Sequence, residues 1–252
     1  MSDAIVAPSI EVNLTLDKAV LLYAGGGHHY ASVHEVDDKG RIEPGRPLES
    51  SALAPIMEAL SAKRRYVGHL PETVLYAEHD CMAWWVPPST RHVWFACDAS
   101  AAGADADAAD GKTGAQLLGH RSGKTPHPGL VFAVSCGRWF VRALAGNERP
   151  QPDAQMFVAP YFNVWESSEI CTGNVRLPDR CDASTLGKFE DSFFRSRFTH
   201  PNVPKLTNHP QGAYALWDEL LRYQYSAFPQ QHLRPTKQTL DRWVKEITKG
   251  KK

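Results

Sequence analysis

No stretch of about 18 consecutive apolar residues occurs in this chain, which argues against a helical membrane span. The first residues, MSDAIVAPSIEV, lack the basic start and long apolar stretch of a secretory signal. Charge imbalance is missing as well: 28 Lys and Arg meet 28 Asp and Glu, for a formal net charge of zero. A nucleic-acid groove depends on phosphate neutralisation, so it is not expected as the main surface, although a local basic patch remains compatible. Paired cysteines are also lacking. Cys81, Cys97, Cys136, Cys171 and Cys181 are odd in number, widely spaced and without a CxxC, so a zinc knuckle has little support. A reduced, cytoplasmic protein is the simplest reading. What is present is a 42% hydrophobic and 22% charged composition over 252 residues, which suits one large soluble domain or a core with appendages.

The pattern along the chain is strands first, helices last. Ile10, Val12, Leu14 and Leu16 alternate with polar residues, and residues 19–23 resume an apolar run after Asp17-Lys18, which predicts a hairpin. Gly25 to Gly27 read as a turn before a further strand over 30–36. Leu53, Ile56, Met57 and Leu60 have helical spacing behind Ser50 and Ser51. Residues 81–86 (CMAWWV) and 91–97 (RHVWFAC) flank Pro87-Pro88-Ser89-Thr90, which predicts a second hairpin. Residues 98–127 begin with the small, acidic ASAAGADADAAD and read as a flexible insertion. Residues 129–136 and 138–144 predict a third hairpin turning near Gly137, and 156–158 a short strand. Helical faces follow at Leu186, Phe189 and Phe193 behind Ser184, at Ala213, Leu216, Trp217 and Leu220, and at Leu240, Trp243, Val244 and Ile247 behind Thr236. This order predicts an α+β fold with helices layered on an antiparallel sheet. The expected division is a β-rich extension over 1–48, a main domain over 49–230 and a C-terminal helix with a basic tail over 231–252.

Two motifs carry less than they promise. The segment 119–125 (GHRSGKT) resembles a phosphate-binding loop, but Leu118 stands where that motif needs its first glycine. The GGGHH at 25–29 offers two adjacent histidines, too few for a metal site, and reads better as a hairpin tip. No cofactor and no metal are therefore expected. The aromatic residues of the predicted strands read as core rather than as a base-stacking platform.

The informative stretch is 159–178, APYFNVWESSEICTGNVRLP. Asn163 precedes Cys171 by eight residues, with an apolar residue, a polar turn and Ile170 between them, and Pro178 follows. This segment resembles the active-site segment of ubiquitin-conjugating enzymes, in which an Asn in an extended segment precedes the acceptor Cys at this interval. It is most similar to the PRTRC plasmid-cassette protein B family, a prokaryotic branch of that superfamily. The downstream FEDSFFRSRFTHPN over 189–202 supports the likeness through a Phe-rich helix leading to Thr199-His200. The resemblance covers roughly residues 50–230. It implies a UBC-like four-stranded antiparallel meander flanked by helices, with the N-terminal hairpin region as an addition of the branch. It also implies a transferase that accepts a ubiquitin-like modifier as a thioester on Cys171. The implied partners are that modifier, a ThiF-type adenylating enzyme, a JAB-type metallopeptidase and a ParB-like protein. ATP would enter only through the adenylating partner. The chain departs from the usual His-Pro-Asn, having Tyr161-Phe162-Asn163, so Tyr161 takes the place of a mainly structural His. The usual Trp after the Cys is replaced by Arg176-Leu177.

The residue chemistry supports the same assignment. A thiol that accepts an acyl group must be accessible and able to ionise. Gly173 would leave room beside the sulfur. Asn163 is placed to donate to the oxyanion formed when an amine attacks the thioester. His200 is a candidate base or orienting group. Each has a plainer alternative: a buried structural thiol for Cys171, turn closure for Asn163, and a helix C-cap for His200. Cys81, Cys97 and Cys136 read as strand core, and Cys181 as the rival nucleophile. Two other functions remain open, a non-catalytic adaptor binding a modifier or a ParB-like partner, and a cysteine hydrolase using Cys171 and His200.

Overall fold

The computed structural model describes residues 16–26, 28–49, 69–78, 81–97, 114–173, 175–222 and 225–249. The chain divides into two compact units, residues 1–65 and 66–252. The first holds β1 (Lys18–Gly25), β2 (His28–Glu35) and β3 (Arg46–Pro47), joined as an antiparallel sheet in that order. Gly26, at φ 59°, lies in the β1–β2 turn, and residues 19–23 pair with 30–34. The expected earlier partner over 10–16 lies, except for Leu16, outside the described residues, as does the helix expected over 53–60.

The second unit runs through β4 (Val74–Glu78), β5 (Cys81–Val86), β6 (Ser89–Phe95), α1 (Gly114–Leu118), β7 (Ser122–His127), β8 (Gly129–Ser135), β9 (Arg138–Leu144) and β10 (Gln155–Val158). It continues with α2 (Leu186–Phe194), β11 (Arg197–Phe198), α3 (Gly212–Leu221), β12 (Pro235–Thr239) and α4 (Leu240–Thr248). The architecture is α+β. Six strands form an antiparallel sheet in the order β12-β10-β9-β8-β5-β4. A second sheet has the order β11-β6-β7, with β11 parallel to β6.

Both faces of the central strands are buried, in keeping with sequences that are apolar at most positions on both faces. Trp84, Leu130, Phe132, Trp139 and Val141 pack on one face with Phe189 and Phe193 of α2 and Leu216 and Trp217 of α3. Ala83, Val131, Ala133, Phe140, Leu144 and Met156 form the other face, covered by Leu240, Trp243 and Val244 of α4. Burial of this kind contributes roughly 1.5–3 kcal/mol for each large side chain.

Several expectations change. Residues 81–97 do not form a hairpin: β5 pairs with β4 and β8, whereas β6 belongs to the other sheet. Pro87 and Pro88 carry no N–H for a ladder and fix an extended path, so the chain leaves the first sheet between them and β6. The flexible reading of 98–127 fails for its second half. Residues 114–127 form α1 and β7, and β7 pairs with β6 over its whole length. Gly114 is required there, because a Cβ would lie 2.5 Å from the Tyr214 ring. Residues 98–113 lie outside the described residues. Cys136 is not core: it is exposed, in the left-handed conformation (φ 49°), at the β8–β9 turn. At α4 the N-cap is Thr239, whose side chain accepts from the Arg242 N–H, because Thr236 lies within β12.

Candidate functional site

The eight-residue interval from Asn163 to Cys171 is a small hairpin. Val164 pairs with Ile170, the Trp165 N–H donates to Glu169 O at 2.9 Å, and the Cys171 N–H donates to Asn163 O at 2.8 Å. These bonds place Asn163 opposite Cys171, and opposed residues of an antiparallel pair share a face with Cβ atoms about 4.5–5.5 Å apart. The loop closes by the Ser168 N–H donating to Trp165 O (2.8 Å), with Ser168 at φ 73°. This is a tight turn followed by a left-handed residue, a common three-residue hairpin loop. The hairpin is sewn to the edge of β9: Ile170 N–H donates to Trp139 O and Val141 N–H to Ser168 O. Ile170 and Val164 are buried, whereas the neighbouring Cys171 is exposed. Gly173 follows at φ 51° with nothing within 4 Å of where a Cβ would stand. Its role is therefore a backbone conformation that side chains disfavour rather than relief of crowding.

The side chain of Asn163 reaches the segment after α2. Its Nδ2 donates to Arg197 O at 2.9 Å, and its Oδ1 accepts from Thr199 N–H at 3.5 Å and Thr199 Oγ1 at 3.4 Å. Thr199 Oγ1 lies 3.1 Å from His200 Nδ1. Cys171, Asn163 and the Thr199-His200 pair are thus linked by consecutive hydrogen bonds. One of the two Nδ2 hydrogens is committed to Arg197, so a reacting oxyanion has only the other. The Thr199 hydroxyl has one proton, which serves either Asn163 Oδ1 or His200 Nδ1, and its choice selects the tautomer of His200. His200 is exposed and is not the cap of α2, whose last carbonyls accept from Arg195 and Ser196.

The Phe-rich helix explains how this segment is held. Phe189, Phe193 and Phe194 are buried, and Phe198 of β11 continues the run onto β6. Ala96 N–H and the Cys97 thiol both donate to Phe198 O. Tyr161 is fully buried, with rings of Phe193, Phe198 and Trp217 around it and Trp217 Nε1 donating to Pro160 O at 2.7 Å. Its hydroxyl lies 2.6 Å from Nδ1 of His127, a residue the sequence did not single out, and the two rings stack at 7°. Burial lowers the His127 pKa to about 3 and raises that of Tyr161 well above its usual value, so both are neutral near pH 7.

Burial pushes the Cys181 thiol up to about 12 and that of Cys81 to about 11, which disfavours either as a nucleophile. Cys97 is buried. Among the described residues no group of three or more His, Cys, Asp or Glu side chains could hold a metal ion. Among them, too, no helix is long and apolar enough to cross a membrane.

A family model described as prokaryotic E2 family D matches residues 51–236, a span that contains the whole of this arrangement. The chain belongs to prokaryotic E2 family D. Membership implies an E2-like function in a prokaryotic ubiquitin-like system and, in general terms, dealings with a ubiquitin-like modifier and an E1-like enzyme. The family D match ends within β12, so α4 lies beyond it. No curated protein and no solved structure matches the chain.

Proposed function

We propose that the chain carries a ubiquitin-like modifier as a thioester on Cys171, on a UBC-like fold, as the protein B component of a PRTRC-type plasmid cassette. The Cys171 thiolate attacks the modifier's C-terminal carbonyl carbon, held as a thioester on a ThiF-type adenylating partner. A new S–C bond forms on Cys171 and the partner's thiolate leaves. In a second step an amine attacks the same carbon. The N–C bond forms, the S–C bond breaks, and Cys171 is restored as thiolate. Asn163 would donate to the transient oxyanion, and His200 would take the proton from the attacking nitrogen. The observation that carries this reading is an exposed Cys171 paired with Asn163 across a hairpin that is bonded to β9. The test is incubation with the cognate modifier, adenylating enzyme and ATP, followed by a non-reducing gel. A thiol-sensitive adduct is expected, and Cys171→Ala should remove it. Asn163→Ala should charge normally but discharge to amines about 100- to 1,000-fold more slowly. No adduct, or one that survives Cys171→Ala, overturns the proposal.

The engagement of both ends of the Asn163 amide favours one second reading, a non-catalytic adaptor that binds the modifier or a ParB-like partner. Cassette function that persists in Cys171→Ser would select it.

A further inference from the structure

The hairpin between Asn163 and Cys171 is held from outside by the C-terminal end of the described chain. Trp243 of α4 donates its indole N–H to Ser168 Oγ at 2.8 Å, and both side chains are buried. Just ahead of β12, Arg234 Nη2 grips Glu166 at Oε1 (2.8 Å) and Oε2 (2.6 Å). Arg142 of β9, buried on the face that α4 covers, donates to Glu166 O at 3.0 Å. The helix is itself fixed: Leu240 and Asp241 N–H groups donate to Ala154 O and Pro152 O, and Ser135 Oγ donates to Ile247 O. Ser168 occupies a left-handed conformation that L side chains avoid, so the turn gains most from an external partner at that residue.

We propose that Trp243, assisted by Arg234, is a positioning residue for Cys171. Trp243 holds Ser168 while Arg234 holds Glu166, and together they fix the register that sets Cys171 opposite Asn163. The activity part of this inference rests on the thioester reading, whereas its structural part does not. The test compares the full-length protein with Trp243→Phe, which keeps an aromatic ring and loses the donor, with Ser168→Ala, and with the double variant. Amide exchange over residues 165–171 should accelerate about tenfold in either single variant, the size of one lost hydrogen bond, and no further in the double variant. Exchange in β5 and β8 should not change. In the charging assay kcat should fall while KM for the donor stays constant. Unchanged exchange over 165–171, equal acceleration throughout the sheet, or additive effects in the double variant overturn the proposal. If the parent protein takes no modifier, the thioester reading fails and the exchange comparison still decides the role of Trp243. Should Trp243→Phe not fold, Ser168→Ala and Glu166→Gln carry the same comparison.

Discussion

His127 shows how a single side chain sets the response of the fold to acid. Its folded-state pKa is about 3 because burial opposes the charged form, whereas the free imidazole has its ordinary value of 6.5. Between those values the unfolded chain binds a proton that the folded chain refuses. The contribution is therefore complete above pH 6.5 and is lost as pH falls toward 3, at about 1.4 kcal/mol per pH unit. His127→Gln cannot titrate. The stability difference between parent and variant, measured by urea unfolding from pH 7.5 to 4.5, should shift steadily in the variant's favour as pH drops. A difference independent of pH would show that His127 is not held neutral. The same residue marks how far sequence could reach at this site. The Asn163–Cys171 pairing is local, so its spacing was legible. The partners that complete it are not: Tyr161 finds His127 across 34 positions, and Asn163 finds Thr199 across 36. Such contacts exist only after two sheets and α2 have been assembled, and no local pattern encodes them.

The β8–β9 hairpin is legible at the level of the element because Gly137 interrupts two apolar runs, but the turn itself takes in Cys136 as well. Cys136 and Gly137 both have positive φ, 49° and 74°, as the favoured two-residue turn with matching twist requires. Asn tolerates the first of these positions better than Cys. Cys136→Asn is expected to stabilise the protein by about 0.5–1 kcal/mol, read as a rise in the denaturation midpoint with unchanged slope. The reverse holds at β5 and β6. Adjacent strands with a polar turn read as a hairpin, but two prolines lead the chain away, and β5 pairs with β8, whose partner residues lie 44 to 54 positions further on. Strand β12 is not legible in the sequence for a different reason: PTKQT is polar and half-exposed, and its place comes from Gln155 and Thr236 bonding to backbone rather than from apolar alternation.

For the whole molecule, the decisive feature is that the large sheet is buried on two sides by helices from different parts of the sequence. The α+β class followed from the order of periodic segments. Which helix covers which face did not, since α2, α3 and α4 all carry apolar residues at helical spacing and nothing local distinguishes their targets. A chain ending at Thr236 would keep α2 and α3 but leave Val131, Ala133, Phe140 and Met156 open to water. An uncovered apolar patch of that kind favours association, so sedimentation of this shortened form should show aggregates where the full-length chain stays monodisperse. A monodisperse shortened form would mean that α4 is dispensable for the sheet. The family match also stops at residue 236, within a strand. Cloning by that boundary would deliver inclusion bodies, and an inactive preparation would then be blamed on missing partners when the fault lay in where the gene was trimmed.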